Sequence, residues 1–138
     1  MKKFILASIY IVLSTLVFSS QAQNYPSKPV KLIIPQAAGG ATDVFARYVG
    51  QKLSLIWNQP VVTENKVGAA GVIGTDLVAK SAPDGYTLLL TYAGSQAVNP
   101  SLYPKIPFDS VKDFQTVATV ATTPFFLVVG VNSPIQNF

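Results

Sequence analysis

The chain has 138 residues, 49% hydrophobic and only 12% charged, with neither cysteine nor histidine. That composition fits one globular domain with an ample apolar core. It excludes disulfides, thiolate nucleophiles, histidine-based triads and zinc sites built on Cys or His. The formal charge of +4 sets ten Lys and Arg against six Asp and Glu, and so few carboxylates argue against an enzyme.

Lys2 and Lys3 precede an apolar run from Phe4 to Phe18, and Ser20 and Ala22 follow as small residues before Gln23. A charged start, an apolar middle and a small-x-small exit are the layout of a secretory signal peptide, here residues 1–22 with cleavage after Ala22. The run is shorter than the roughly 20 residues that a membrane-crossing helix needs. Loss of Lys2 and Lys3 halves the positive excess, and the remaining cations are scattered singly from Lys28 to Lys112. Such scatter is a solvated surface with no phosphate-binding stripe, so no nucleic-acid partner is expected.

Beyond Pro26-Ser27-Lys28-Pro29, the β-branched run Val30 to Ile34 reads as a strand ended by Pro35. Gln36 to Ala41 is too small and glycine-rich for regular structure. From Thr42, a plausible N-cap, the period becomes helical, with Val44, Phe45, Tyr48, Val49, Leu53 and Ile56 on the apolar side and Asp43 complementing the dipole. Val61 to Asn65 is a second strand, Lys66 to Ala70 a loop, and Gly71 to Ser81 a helix with Ile73, Leu77 and Val78 inward. Pro83-Asp84-Gly85 turns the chain into a third strand, Tyr86 to Thr91, apolar enough to be buried on both faces. This alternation predicts an α/β fold with a mostly parallel sheet, flanking helices and right-handed crossovers. Later come a loop at Tyr92 to Gln96, short turns within Ala97–Tyr103 and Val111–Phe114, and strands at Thr116–Ala121 and Phe125–Val131. Ser133-Pro134 has the form of a helix start, which suggests the front part of a longer protein.

Ligands of open parallel sheets bind beyond the carboxyl ends of the strands. Three loops leave those ends, Pro35–Thr42, Lys66–Gly71 and Thr91–Gln96, all rich in Gly, Ala, Ser and Thr. Backbone amides can approach a ligand there, and two of the loops run into helix N-termini that favour an anion. Gly68-x-x-Gly71-x-x-Gly74 is not the dinucleotide fingerprint, and neither the phosphate loop nor the nucleophile elbow occurs. Asp43 reads as a helix cap before a general base, and Glu64 as a salt-bridge or hydrogen-bond partner. Trp57, Phe125 and Phe126 read as core, whereas Tyr92 sits in a loop at the cleft edge.

An ordered set of motifs then carries a resemblance. It comprises Tyr25-Pro26-Ser27-Lys28-Pro29-Val30, Pro35 to Asp43, Gln59-Pro60-Val61-Val62, Glu64 to Gly71, Ala82 to Leu89, Asn99 to Tyr103 and Phe108-Asp109 with Lys112-Asp113-Phe114. Together they resemble the Bug-type solute-binding proteins, the extracytoplasmic receptors of tripartite tricarboxylate transporters. The resemblance implies the first lobe of a type II periplasmic-binding-protein-like fold, with residues 23–121 forming a partial lobe and 122–138 crossing toward a second. It implies a periplasmic protein that binds a small carboxylate and delivers it to a membrane permease, with no cofactor, metal or catalysis. First-lobe contacts would come from Gln36, Ala37, Ala38, Gly39 and Gly40 and from Thr91, Ala93, Gly94 and Ser95, and the loop reading adds Thr42 and Gly68. Gln36 departs from the aromatic residue common at its place. The alternatives are a small α/β interaction domain or a truncated fragment without binding function.

Overall fold

The computed structural model describes residues 25–124 and 126–135, so the expected signal peptide lies outside the described residues. Five regular elements follow in chain order: β1 (Val30–Ile34), α1 (Ala41–Trp57), β2 (Val61–Asn65), α2 (Val72–Ala79) and β3 (Thr87–Leu89). A π-helical turn, Gly94–Val98, runs directly into a one-turn helix, α3 (Asn99–Leu102), so the loop expected at Tyr92 to Gln96 is helical from Gly94 onward. The strands form an all-parallel sheet in the order β2–β1–β3, with Val30 opposite Val61 and Ile33 opposite Leu89. The central place of β1 explains its apolar run Leu32-Ile33-Ile34, because Leu32 and Ile34 face one side of the sheet and Ile33 the other, and all three are buried, while Lys31 near the start of the strand is exposed. Leu32, Ile34 and Ala46 of α1 make the core, and Val61, Leu88 and Leu90 pack against it. The first crossover moves from β1 out to β2, and the second returns past β1 to β3. Right-handed connections therefore place α1 and α2 on opposite faces of the sheet.

Both helices bury their small residues, a correction to the expected helix faces. In α1 the buried positions are Asp43, Ala46 and Gly50, whereas Val44, Phe45, Tyr48 and Ile56 are exposed. In α2 they are Gly74 and Thr75, whereas Ile73 and Leu77 are exposed. The reason is close approach: a Cβ on Gly50 would stand 3.2 Å from Thr63 Cγ2 and 3.4 Å from Val61 Cγ1. A face lined with Phe45 and Tyr48 cannot lie so near the sheet.

Other boundaries shift for local reasons. Gly40, in extended conformation, is the N-cap of α1 in place of Thr42. A tight turn at Ala69–Gly71 delays α2 to Val72. β3 is shorter than Tyr86–Thr91 and only half-buried, because among the described residues it has a neighbour on one side alone. Thr116–Ala121 and the described part of Phe125–Val131 form no strand and are exposed. A strand needs a ladder partner for its amides and carbonyls, and the described residues place none beside them. Phe126, expected in the core, is 80% exposed, and Phe125 lies outside the described residues.

At the amino ends of the strands an aromatic clamp closes the sheet. Tyr25 meets Trp57 edge-on at 5.8 Å and Tyr86 at 5.2 Å, and its hydroxyl donates to the Gly85 carbonyl (2.6 Å). Lys28 adds an ion pair to Asp84 at 3.2 Å above the Tyr86 ring. Trp57 therefore serves packing, as its sequence context suggested.

Candidate functional site

The strand order β2–β1–β3 puts a topological switch point between the carboxyl ends of β1 and β3, where α/β sheets open a crevice. The three glycine-rich loops meet at this rim, tied together by side chains. Asn65 Nδ2, at the end of β2, donates to the Gln36 carbonyl of the first loop (3.0 Å). Asn99 Nδ2, just after the third loop, donates to the Ala70 carbonyl of the second (2.9 Å). Thr75 Oγ1 donates to the Gly71 carbonyl (2.8 Å) and lies 3.0 Å from Ser95 Oγ. The Thr75 proton being engaged on Gly71, Ser95 is the donor of that second bond.

The expected ligand residues divide by exposure. Ala37, Ala38, Gly39, Gly40 and Ala93 are exposed, and Gln36, Thr42, Gly68, Thr91 and Gly94 are half-buried. Ser95 is fully buried on Thr75, which makes it a strut between loop and helix. Thr91 Oγ1 and Gln96 Oε1 are buried without a protein partner. The Tyr92 ring lies so close over Gly94 that no Cβ would fit there. Glu64 pairs with Lys66 at 3.1 Å, as its position suggested.

The second loop holds an unusual backbone. Gly68, Ala69, Ala70 and Gly71 all have positive φ (133°, 46°, 54° and 94°), and for the two alanines this conformation costs roughly 1–2 kcal/mol each. Asn99 clasps the Ala70 carbonyl and so holds this turn against the third loop. Replacing Asn99 by Ala is expected to lower unfolding free energy by about 1 kcal/mol, as for a part-buried hydrogen bond whose acceptor water can reach. Urea denaturation checks this, and an unchanged midpoint would remove Asn99 from the account.

A second brace lies under the first loop. Asp43, at the first turn of α1, is 4% exposed, and its carboxylate is surrounded by donors. Oδ2 accepts from the Gly39 amide (2.9 Å) and Arg47 Nε (3.1 Å), and Oδ1 accepts from Asn65 Nδ2 (3.0 Å) and Arg47 Nη2 (3.0 Å). Arg47 also reaches Thr63 Oγ1 (3.1 Å) and Asn65 Oδ1 (2.9 Å). Arg47 foremost, then the Gly39 amide and Asn65, holds the Asp43 carboxyl at about 2, below the usual 3.8. A depressed carboxyl contributes stability that is complete above its ordinary value and is lost as the pH falls through the depressed one. Acid unfolding followed by circular dichroism is therefore expected to show wild type losing its advantage over Asp43→Asn only between about pH 4 and pH 2. A constant difference across that interval contradicts the assignment.

Asp43, expected to serve the start of the helix, lies in the first turn of α1 behind the N-cap Gly40, where it complements the dipole and accepts the Gly39 amide. The sequence left Asn65, Arg47, Thr75 and Asn99 unmarked: Asn65 and Asn99 had the faint cue of an amide beside a Gly- or Pro-containing segment, and Arg47 and Thr75, inside α1 and α2, had none. Among the described residues no group of three His, Cys, Asp or Glu could hold a metal ion, and no helix is long and apolar enough to cross a membrane. A groove of about 620 Å³ between α1 and the outer edge of β2 is lined by residues such as Tyr48, Gln51 and Val61, none from the rim loops.

A family model described as tripartite tricarboxylate transporter family receptor matches residues 45–138. The chain belongs to that family. The chain is 44% identical over 121 residues to BugT of Bordetella pertussis, which covers 87% of the chain and 37% of BugT. The solved structure of the periplasmic binding protein BugD matches with a TM-score of 0.62 and 43% identity, over 65% of this chain and 30% of that one. MatC (Rpa3494) from Rhodopseudomonas palustris, with bound malate, matches with a TM-score of 0.63 and 36% identity, over 65% of this chain and 31% of that one. The chain thus spans well under half the length of these relatives.

Proposed function

We propose that the chain supplies one wall of the ligand cleft of a periplasmic solute receptor, which binds a small carboxylate without turnover and delivers it to a membrane permease. In this reading residues 1–22 direct export, 23–121 form the lobe and 122–138 lead toward the opposing lobe. Gln36 to Gly40, Thr42, Gly68, Thr91, Ala93 and Gly94 face the ligand, and Ser95 acts through Thr75. The supporting observation is the convergence of the three small-residue loops on one rim, beside the buried and unpartnered Thr91 hydroxyl. Amides at the start of α1 provide dipoles for an acid group, which needs no lysine or arginine in contact. The malate bound to MatC supports the ligand class.

The test is an amide-resolved NMR titration of the chain with malate, then with citrate. Saturable movement of the signals of Ala37 to Gly40, Ala93 and Gly94 is expected, with Lys105 and Val117 unmoved. A titration that moves none of the rim amides, or all amides alike, overturns the reading.

A further inference from the structure

The buried carboxylate of Asp43 lies beneath the rim where the proposed reading seats an anion, and this raises an electrostatic difficulty. Asp43 suits the start of α1 without help, since an acidic residue in the first turn complements the helix dipole and its Oδ2 ties down the Gly39 amide. Capping alone gives no reason for a guanidinium to grip both carboxylate oxygens. As a contribution to stability, a half-exposed i,i+4 pair is small, yet Arg47 is held in place by further bonds to Thr63 and Asn65. An uncompensated negative charge at this depth would repel a carboxylate guest across a few ångströms.

We propose that Arg47 is a positioning residue for the anion: it cancels the Asp43 charge, so that Asp43 can hold the Gly39 amide inward without making the rim repel a carboxylate. Asn65 completes the device, because one amide group joins Asp43 to the Gln36 carbonyl and sets the first loop relative to β2. The inference rests on the carboxylate reading of the rim and adds the residue that makes it electrostatically workable.

The same NMR titration with malate tests it, on wild type, Arg47→Gln and the double variant Asp43→Asn/Arg47→Gln. Arg47→Gln is expected to bind malate about fivefold more weakly, the effect of one unit charge acting through a solvated surface. The double variant is expected to regain most of that loss, which a merely structural role for Arg47 would not produce, since two losses of packing do not restore each other. Arg47→Gln binding like wild type, or a double variant no better than the single, overturns the proposal while the carboxylate reading stands. If wild-type rim amides fail to move at all, the carboxylate reading fails and the proposal with it. Should Arg47→Gln not fold, Arg47→Lys decides: affinity near wild type despite lost stability supports charge cancellation, and affinity lost in step with stability refutes it.

Discussion

Residues 23–138, produced alone, are expected to bind malate no more tightly than the millimolar range. The rim offers an acid group two or three amides and one hydroxyl, all from one wall. Hydrogen bonds to a charged group contribute about 1.5–3 kcal/mol each at best, and less where water competes. A few such bonds give roughly 4–6 kcal/mol before the loss of translational and rotational freedom is subtracted. A millimolar Kd corresponds to about 4 kcal/mol, so nothing tighter is left. Receptors that close on a ligand gain the rest from contacts that exist only in the closed state. The chain spans 37% of BugT and 31% of MatC, leaving room in those relatives for an opposing wall. Calorimetry is the measurement, and a micromolar isotherm from residues 23–138 would show that one wall suffices.

The parts of the fold that could be read from the sequence were those that report themselves locally. Val30 to Ile34 announces a strand through its β-branched residues and the Pro35 that ends it, and the parallel pairing follows from element order, whereas the two-sided burial expected of Tyr86 to Thr91 belongs to β1. The rim loops were legible for the same reason, since Gly39-Gly40 and Gly68 to Gly71 leave the chain no regular alternative. The helix faces were not. Hydrophobic periodicity ranks Phe45 and Tyr48 as inward, whereas the distance between helix and sheet is set by Gly50 and Gly74, which carry no hydrophobic signal. Nor were the braces legible: Asn65 to Gln36 and Asn99 to Ala70 each join positions 29 residues apart, and one asparagine in a sequence does not say which carbonyl it will meet. The strands expected at Thr116–Ala121 and Phe125–Val131 failed for a third reason, because β-propensity describes a residue's fit to a sheet and supplies no partner.

Gly74 is where this packing is least forgiving, and Gly74→Ala is expected to be severely disruptive. A Cβ there would stand 2.5 Å from the Lys66 carbonyl oxygen and 3.0 Å from both Cα and Cβ of Pro35. None of these is the free end of a flexible side chain, so α2 would have to retreat from the sheet. Overpacking of this kind costs about 3 kcal/mol, against which alanine returns about 1 kcal/mol of helix propensity. The retreat would also pull Thr75 away from Ser95, loosening the joint between the second and third loops. A net loss of about 2 kcal/mol in urea denaturation is therefore expected, with altered amide signals at Gly68 to Gly71 and at Ser95. Gly40→Ala is the control: its φ of −74° is ordinary, and its Cβ would meet only the Ala37 carbonyl at 3.5 Å. That variant should cost no more than about 1 kcal/mol, the usual difference between glycine and alanine at an N-cap. Equal stability of the two alanine variants would mean that α2 does not lie against Pro35 and Lys66 as described. The joint between the second and third loops, on which the carboxylate rim depends, would then need a different support.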